Sequence, residues 1–119
     1  MKTKFLFTTF LLLVLQWSNA QEMDPEEMAD YATTTMIEQL NLNEEQQEQV
    51  TGLNLKYSKK QADLMNRKGS MFSKMGDMKK IKKEKNKELE KILSKEQMEK
   101  FEDDVEPMIR DHMRKKMKG

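Results

Sequence analysis

The stretch Leu42-Asn43-Glu44-Glu45-Gln46 occurs a second time, 51 positions later, as Leu93-Ser94-Lys95-Glu96-Gln97. Each copy consists of a leucine, a small polar residue of a type that favours helix N-caps, two mostly acidic positions and a glutamine. The acidic side chains lie at the positive end of the dipole of the helix that follows. Both copies therefore predict a sharp turn into a helix, and together they divide the chain into antiparallel helical segments.

The polar residue that follows each leucine is predicted to cap a helix. The side-chain oxygens of Asn43 and Ser94 can each accept a hydrogen bond from a free N–H of the first helical turn. Gln46 and Gln97 stand three residues later, where a glutamine side chain can reach back to the N–H of the cap residue, as in a capping box.

The leucine before each cap residue is predicted to stabilise the turn by a hydrophobic contact with the helix that follows. Leu42 and Leu93 can each pack onto an apolar residue inside the first turn, and Met98 is one candidate partner for Leu93. Helix architecture alone explains all of this chemistry. The motif residues are therefore predicted to be structural, and they are Leu42, Asn43, Gln46, Leu93, Ser94 and Gln97.

The two motifs resemble the LTxxQ motif of small exported stress chaperones of the Spy/CpxP family. They read LNEEQ and LSKEQ here, so that Asn43 and Ser94 each replace the threonine of the pattern. The resemblance covers roughly residues 36–105. It implies a periplasmic, cradle-shaped helical dimer that holds unfolding clients on its concave face by weak, reversible contacts and without ATP. In such a protein the motifs hold helix entries rather than touch substrate.

Residues 1–20 are predicted to form a secretory signal peptide. Two lysines precede an apolar run over residues 5–15, and small residues precede the expected cleavage site between Ala20 and Gln21. The apolar run is too short to favour a membrane span, so we expect no stable membrane insertion. The expected location of the mature protein is the periplasm.

Residues 21–119 are predicted to form a single helical domain. The sequence contains no cysteine, which excludes disulfides, thiol redox chemistry and lipid attachment through a cysteine. Residues 21–55 contain nine acidic and no basic side chains, whereas residues 56–92 contain thirteen basic and five acidic ones. A highly charged chain of this length makes a thin core. Thickening of that core and attraction between the opposite charges both favour an antiparallel homodimer.

Hydrophobic periodicity predicts an all-α protein with four helices, two of them long, in an open hairpin or a shallow cradle. Asp24 is predicted to cap a first helix that ends near Leu40-Asn41. The second helix is predicted to begin after Asn43. Its apolar stripe consists of Val50, Leu53, Tyr57, Leu64 and Met71.

Glycines set the predicted end of the second helix. Gly69-Ser70 is predicted to be a weak point, and Gly76-Asp77 is predicted to be the boundary, with glycine as helix stop and aspartate as the next cap. The third helix is then predicted over residues 78–92. The fourth is predicted after Ser94, with Pro107 kinking it or removing the bond back to the carbonyl of residue 103.

Signals of catalysis and of nucleic-acid binding are missing from the sequence. A nucleophile–base pair needs serine or cysteine beside histidine, and the one histidine is His112, in a charged C-terminal segment. We find no glycine-rich phosphate loop, and we predict neither an enzyme nor a cofactor. Glutamates are interleaved in the lysine-rich segment 79–91 and would weaken phosphate binding, so a nucleic-acid partner is not expected.

Methionine is unusually abundant, with twelve residues, and several lie close to the two central glycines. One interpretation is core packing at helical spacing. Another is an adaptable surface for unfolded clients, because methionine is flexible and polarizable and lysines surround the segment. The client-binding candidates on this interpretation are Met65, Met71, Phe72, Met75, Met78 and Ile81.

Thioether sulfurs also suit soft metals such as Cu(I). We predict no metal site, and Met108, His112 and Met113 are only weak candidates, because a zinc site needs three or four nitrogen, sulfur or carboxylate ligands. Three alternatives to a chaperone stay open from the sequence. They are a metal-responsive member of the same superfamily, an adaptor that regulates an envelope stress sensor, and a purely structural helical protein.

Overall fold

The computed structural model describes residues 24–118, with side chains described to residue 116, so the predicted signal peptide lies outside the described residues. Helix α1 is Pro25–Leu40, α2 is Glu44–Asn66 and α3 is Met71–Ile92. The fourth helix, α4, covers residues 95–118 and contains a π-helical turn at Phe101–Val105.

The predicted all-α class with four helices is confirmed for the described residues, which contain no strand. Three of the four helices have more than 20 residues, whereas two long helices are predicted from the sequence, because α3 begins at Met71 and is longer than the predicted 78–92. The chain measures 62 × 36 × 20 Å along its principal axes, so the helices form a flat, elongated body. Within residues 24–118, no helix has the length and apolar character needed to cross a membrane.

Helix α1 begins and ends where the sequence predicts. The Asp24 carboxylate accepts a hydrogen bond from the Glu26 N–H at 3.1 Å, and Pro25 occupies the first helical position. Asn41 ends the helix in the left-handed conformation, with φ of 54°. Asparagine tolerates this conformation better than most residues, which explains the sharp turn into the first motif.

The predicted boundary at Gly76-Asp77 is wrong. The chain leaves α2 at Arg67 and enters α3 at Met71, with Ser70 as the N-cap. Gly69 has φ of +138°, a conformation that side-chain-bearing residues rarely adopt, so this glycine is required for the turn. Gly76 lies inside α3, where a helical glycine is tolerated at a cost of about 1 kcal/mol relative to alanine.

A buried lysine fixes the turn between α2 and α3. The Lys74 side chain is only 8% exposed, and its ammonium group donates hydrogen bonds to the carbonyl oxygen of Met65 at 3.0 Å and to that of Arg67. These carbonyls belong to the C-terminal end of α2, which lacks intrahelical donors and attracts positive charge. The first turn of α3 therefore caps the end of α2.

The π-helical turn in α4 ends two residues before Pro107, the residue predicted to kink this helix. The N–H of Glu106 donates to the carbonyl of Phe101, five residues earlier. Pro107 has no N–H, so the ordinary bond to the residue 103 carbonyl cannot form. The wider turn absorbs this change, and the helix continues beyond it.

The apolar core lies where all four helices meet, near the two motifs. Phe101 and Val105 from the π-helical turn are fully buried and share one core cluster with residues of α1, α2 and the end of α3. The stripe predicted for α2 is buried except for Met71, which belongs to α3 and is exposed. The core cluster consists of Met36, Leu40, Leu42, Val50, Leu53, Tyr57, Leu89, Leu93, Met98, Phe101 and Val105.

Replacement of Lys74 by methionine tests the cap on α2. The substitution keeps an apolar stem of similar length but removes both hydrogen bonds, so we expect a loss of about 1–3 kcal/mol in the free energy of unfolding. Urea denaturation followed by circular dichroism measures this change. The control is Lys79→Met, at an exposed position of the same helix. An equal effect of the two substitutions would contradict the assigned role of Lys74.

Candidate functional site

Both sequence motifs form complete capping boxes. The Asn43 side chain accepts from the Gln46 N–H at 2.8 Å, and the Gln46 side chain accepts from the Asn43 N–H at 3.1 Å. The second motif has the same arrangement. The Ser94 hydroxyl accepts a hydrogen bond from the Gln97 N–H at 3.1 Å, and the Gln97 side chain accepts one from the Ser94 N–H at 2.9 Å. Each motif thus fixes the entry into a helix, α2 and α4 respectively.

The two glutamines also bind each other. The Gln46 amide nitrogen lies 2.8 Å from the Gln97 side-chain oxygen, and the Gln97 amide nitrogen lies 3.3 Å from the Gln46 side-chain oxygen. Each oxygen therefore accepts from its own cap residue and from the opposite glutamine. We call this reciprocal arrangement the glutamine clasp.

Each glutamine also reaches the end of a helix from the other half of the chain. The Gln46 amide donates to the carbonyl of Ile92 at the end of α3, and the Gln97 amide donates to the carbonyl of Leu40 at the end of α1, both at 3.1 Å. These carbonyls have no partner within their own helices. The clasp therefore joins the end of α1, the starts of α2 and α4, and the end of α3.

The leucines of both motifs lie beneath the clasp. Leu42 and Leu93 are each buried and belong to the core cluster, together with Met98, the predicted partner of Leu93. The structure therefore brings all six motif residues together at one end of the protein. The motif side chains are engaged in helix entry and core packing rather than directed into an open pocket.

The opposite end of α3 carries an exposed apolar surface. Met71 is 61% exposed, Phe72 is 87% exposed and Met75 is 52% exposed. In the described part of the chain the other large apolar side chain that is exposed is Met108, at 44%, on α4. We call Met71, Phe72 and Met75 the α3 apolar patch.

The other three client-binding candidates do not belong to this patch. Met65 is half-buried near the end of α2. Met78 is half-buried and lines a cavity between α3 and α4, and Ile81 is half-buried and packs against the core cluster. Met78 and Ile81 lie on the same side of α3 as the buried Lys74, at helical spacing, which explains why they turn inward.

The weak metal candidates occupy different environments. The His112 ring stacks on the Tyr31 ring of α1, with 3.6 Å between the ring centroids and 6° between their planes. Met113 is half-buried and lines the cavity, whereas Met108 is exposed. Residues 24–118 contain no group of three or more histidine, cysteine or acidic side chains with the geometry of a metal site.

Tyr57 and Glu88 form a contact between α2 and α3. Burial raises the pKa of the Tyr57 hydroxyl to about 12, and the neighbouring Glu88 carboxylate adds to this increase. Hydrogen bonding to Tyr57 lowers the pKa of Glu88, and Lys56 acts in the same direction, with its ammonium 3.4 Å from the carboxylate. A second ion pair, Lys60 with Glu84 at 3.8 Å, lies one helical turn further on.

The cavity between α3 and α4 has a volume of about 260 Å³ and an apolar floor that includes Phe101 and Ile109. Lys85 also lines it, with its ammonium 6.0 Å from the centre of the Phe101 ring. Burial lowers the pKa of Lys85, and attraction to Glu106 offsets part of that effect. Sequence reasoning missed this cavity, because Lys85 looks like one more member of a solvated lysine run.

These features define an all-α protein whose four helices are tied at one end by paired capping boxes. A family model described as "Domain of unknown function (DUF4890)" matches residues 16–101, which is most of the chain. The chain therefore belongs to the DUF4890 family. Comparisons with curated proteins and with solved structures gave no match. The resemblance to Spy/CpxP proteins stays a prediction.

Replacement of Gln46 by glutamate tests the donor role of this side chain. A carboxylate can still accept from the Asn43 N–H, but it cannot donate to the carbonyl of Ile92 or to Gln97. We expect a loss of about 1–3 kcal/mol in the free energy of unfolding at neutral pH.

The loss should depend on pH with a defined sign. Facing acceptor oxygens disfavour the charged form, so the pKa of the new carboxyl should be higher in the folded than in the unfolded state. The destabilisation should therefore shrink as the pH falls through that pKa, because the protonated acid can donate again. Urea denaturation between neutral pH and about pH 4 measures this. Gln49→Glu, at an exposed position of α2, is the matched control. A loss that is the same at every pH would contradict the donor role.

Proposed function

We propose that this protein is an exported, ATP-independent chaperone of the cell envelope, and that the α3 apolar patch binds unfolded segments of client proteins. The observation that carries the proposal is the exposure of Met71, Phe72 and Met75 within one helical turn and a half. Exposed apolar side chains that lie together are typical of interaction sites, whereas single ones are common on any surface.

The chemistry of the patch suits clients of varied shape. Methionine side chains are flexible and polarizable, so they can follow irregular apolar surfaces without requiring one geometry. Phe72 adds a large aromatic face that is almost entirely free of intramolecular contact. The patch therefore combines an adaptable component with one strong apolar anchor, as weak and reversible binding of many sequences requires.

Basic residues around the patch favour acidic clients. Lys68 precedes it, and Lys79, Lys80 and Lys83 follow it at exposed positions of α3. Such charges act mainly on the rate of encounter, so they should draw acidic unfolded chains toward the patch. Lys74 does not belong to this set, because its ammonium is already bound to the end of α2.

Export and dimer formation complete the proposal. The signal-like residues 1–20 support a periplasmic location, where clients would be unfolded or misfolded envelope proteins. The flat shape and the acidic first third support an antiparallel homodimer, since the basic α3 of one copy could face the acidic segment of the other. Such a pairing should weaken as salt screens the surface charges.

The combined replacement Met71→Ser, Phe72→Ser and Met75→Ser tests the proposal. Aggregation of an unrelated, chemically unfolded protein is followed by light scattering after dilution, without nucleotide. We expect the wild-type protein to suppress aggregation and the triple variant to lose most of this effect. The melting temperature should stay within about 2 °C, because exposed substitutions change stability little.

Two measurements make the result interpretable. Met108→Ser removes an exposed methionine from α4 and should leave protection unchanged. Sedimentation velocity of wild type and variants shows whether the oligomeric state is retained. Full protection by a folded triple variant would contradict the assigned surface. Unfolding or dissociation of that variant would instead show that these residues serve packing between copies.

A further inference from the structure

The cavity between α3 and the C-terminal part of α4 is distinct from the α3 apolar patch. Its floor combines the buried Phe101 with the half-buried side chains of Met78, Ile109 and Met113. The cavity has a volume of about 260 Å³ and is partly open to solvent. Its apolar floor therefore suits a hydrocarbon chain of medium length.

Positive charge on the cavity wall exceeds negative charge. Lys82, Lys85 and Arg110 line the cavity with a single acidic residue, Glu106. The Lys82 ammonium lies 2.6 Å from the Glu106 carboxylate, so that pair is already neutralised. In the described residues, neither Lys85 nor Arg110 takes part in an ion pair.

Lys85 is half-buried, and its ammonium is attracted to the Glu106 carboxylate. Burial lowers the pKa of Lys85, and its ammonium lies 6.0 Å from the centre of the Phe101 ring. An anion beside it would offset the loss of hydration. Arg110 lies at the exposed rim of the same cavity, and its planar guanidinium matches the geometry of a carboxylate.

We propose that this cavity binds a medium-chain alkyl carboxylate, with the hydrocarbon chain on the Met78, Ile109 and Met113 floor and the carboxylate paired with Lys85 and Arg110. The single Glu106 carboxylate is already paired with Lys82 and only partly offsets the burial of Lys85, and Arg110 has no ion pair in the described residues, so the cavity favours an anionic head group. The apolar floor of this partly open cavity suits a hydrocarbon tail of medium length.

Octanoate is the probe, with octan-1-ol as the neutral analogue and acetate as the analogue without a tail. Isothermal titration calorimetry on the full mature chain should give one octanoate per protein. The dissociation constant should be about tenfold lower for octanoate than for octan-1-ol, which corresponds to about 1.4 kcal/mol. Acetate should not bind measurably. Equal affinity for octanoate and octan-1-ol would overturn the assigned role of the cations.

Methyl NMR of methionine-labelled protein locates the ligand. Octanoate should shift the methyl signals of Met78 and Met113, which line the cavity, and leave those of Met71 and Met75 in place. Shifts confined to Met71 and Met75 would place the ligand on the α3 apolar patch and overturn the proposal. An acidic apolar peptide that shifts the Met78 and Met113 signals when octanoate does not would identify the cavity as a client site and would also overturn the proposal.

Charge variants complete the test. The pair Lys85→Gln and Arg110→Gln should raise the octanoate dissociation constant about tenfold and leave octan-1-ol binding unchanged. The matched control pair is Lys83→Gln and Arg114→Gln, on the same helices but outside the cavity lining. Arg110→Gln alone, at an exposed position, keeps the test valid if the pair does not fold. Equal weakening by the control pair would show non-specific charge attraction and overturn the proposal.

Discussion

The reciprocal hydrogen bonds between Gln46 and Gln97 are the constraint on which the rest of the structure depends. Two residues 51 positions apart each complete a local capping box and at the same time satisfy a helix end from the other half of the chain. Side-chain networks of this kind are cooperative, because loss of one member leaves several buried or half-buried groups without partners. The motif leucines belong to the apolar core, so the clasp joins the helix ends beside that core.

The two ends of the molecule are held by different physical means. The clasped end combines the capping boxes with the full apolar core, whereas the far end of α2 and α3 depends on Lys74, Ser70 and Gly69. Few buried apolar contacts lie near that far turn, which predicts a lower local free energy of opening. The α3 apolar patch lies at this weakly held end, away from the core cluster.

Local sequence patterns predicted the helix caps but not what joins them. Asn43, Ser94 and their glutamines could be assigned from spacing alone, since a capping box is contained in four residues. The contact between Gln46 and Gln97 depends on tertiary packing, which no local stretch of sequence contains.

The same limit explains why the boundary between α2 and α3 was predicted at the wrong glycine. Gly69 and Gly76 look equivalent in sequence, and the carbonyl contacts of Lys74 select the first as the turn. Helix α3 therefore begins at residue 71. Of the predicted client-binding residues on this helix, Met71, Phe72 and Met75 are exposed, whereas Met78 and Ile81 are half-buried.

A double-mutant cycle on the clasp tests its central role most directly. The free energy of unfolding is measured for wild type, Gln46→Ala, Gln97→Ala and the double variant by urea denaturation. Coupled groups in one network show interaction energies of about 0.5–3 kcal/mol. We therefore expect the loss of stability in the double variant to be smaller than the sum of the two single losses, and the difference to lie in this range. Strictly additive losses would show that the two capping boxes act independently, and would contradict the clasp as the organising interaction.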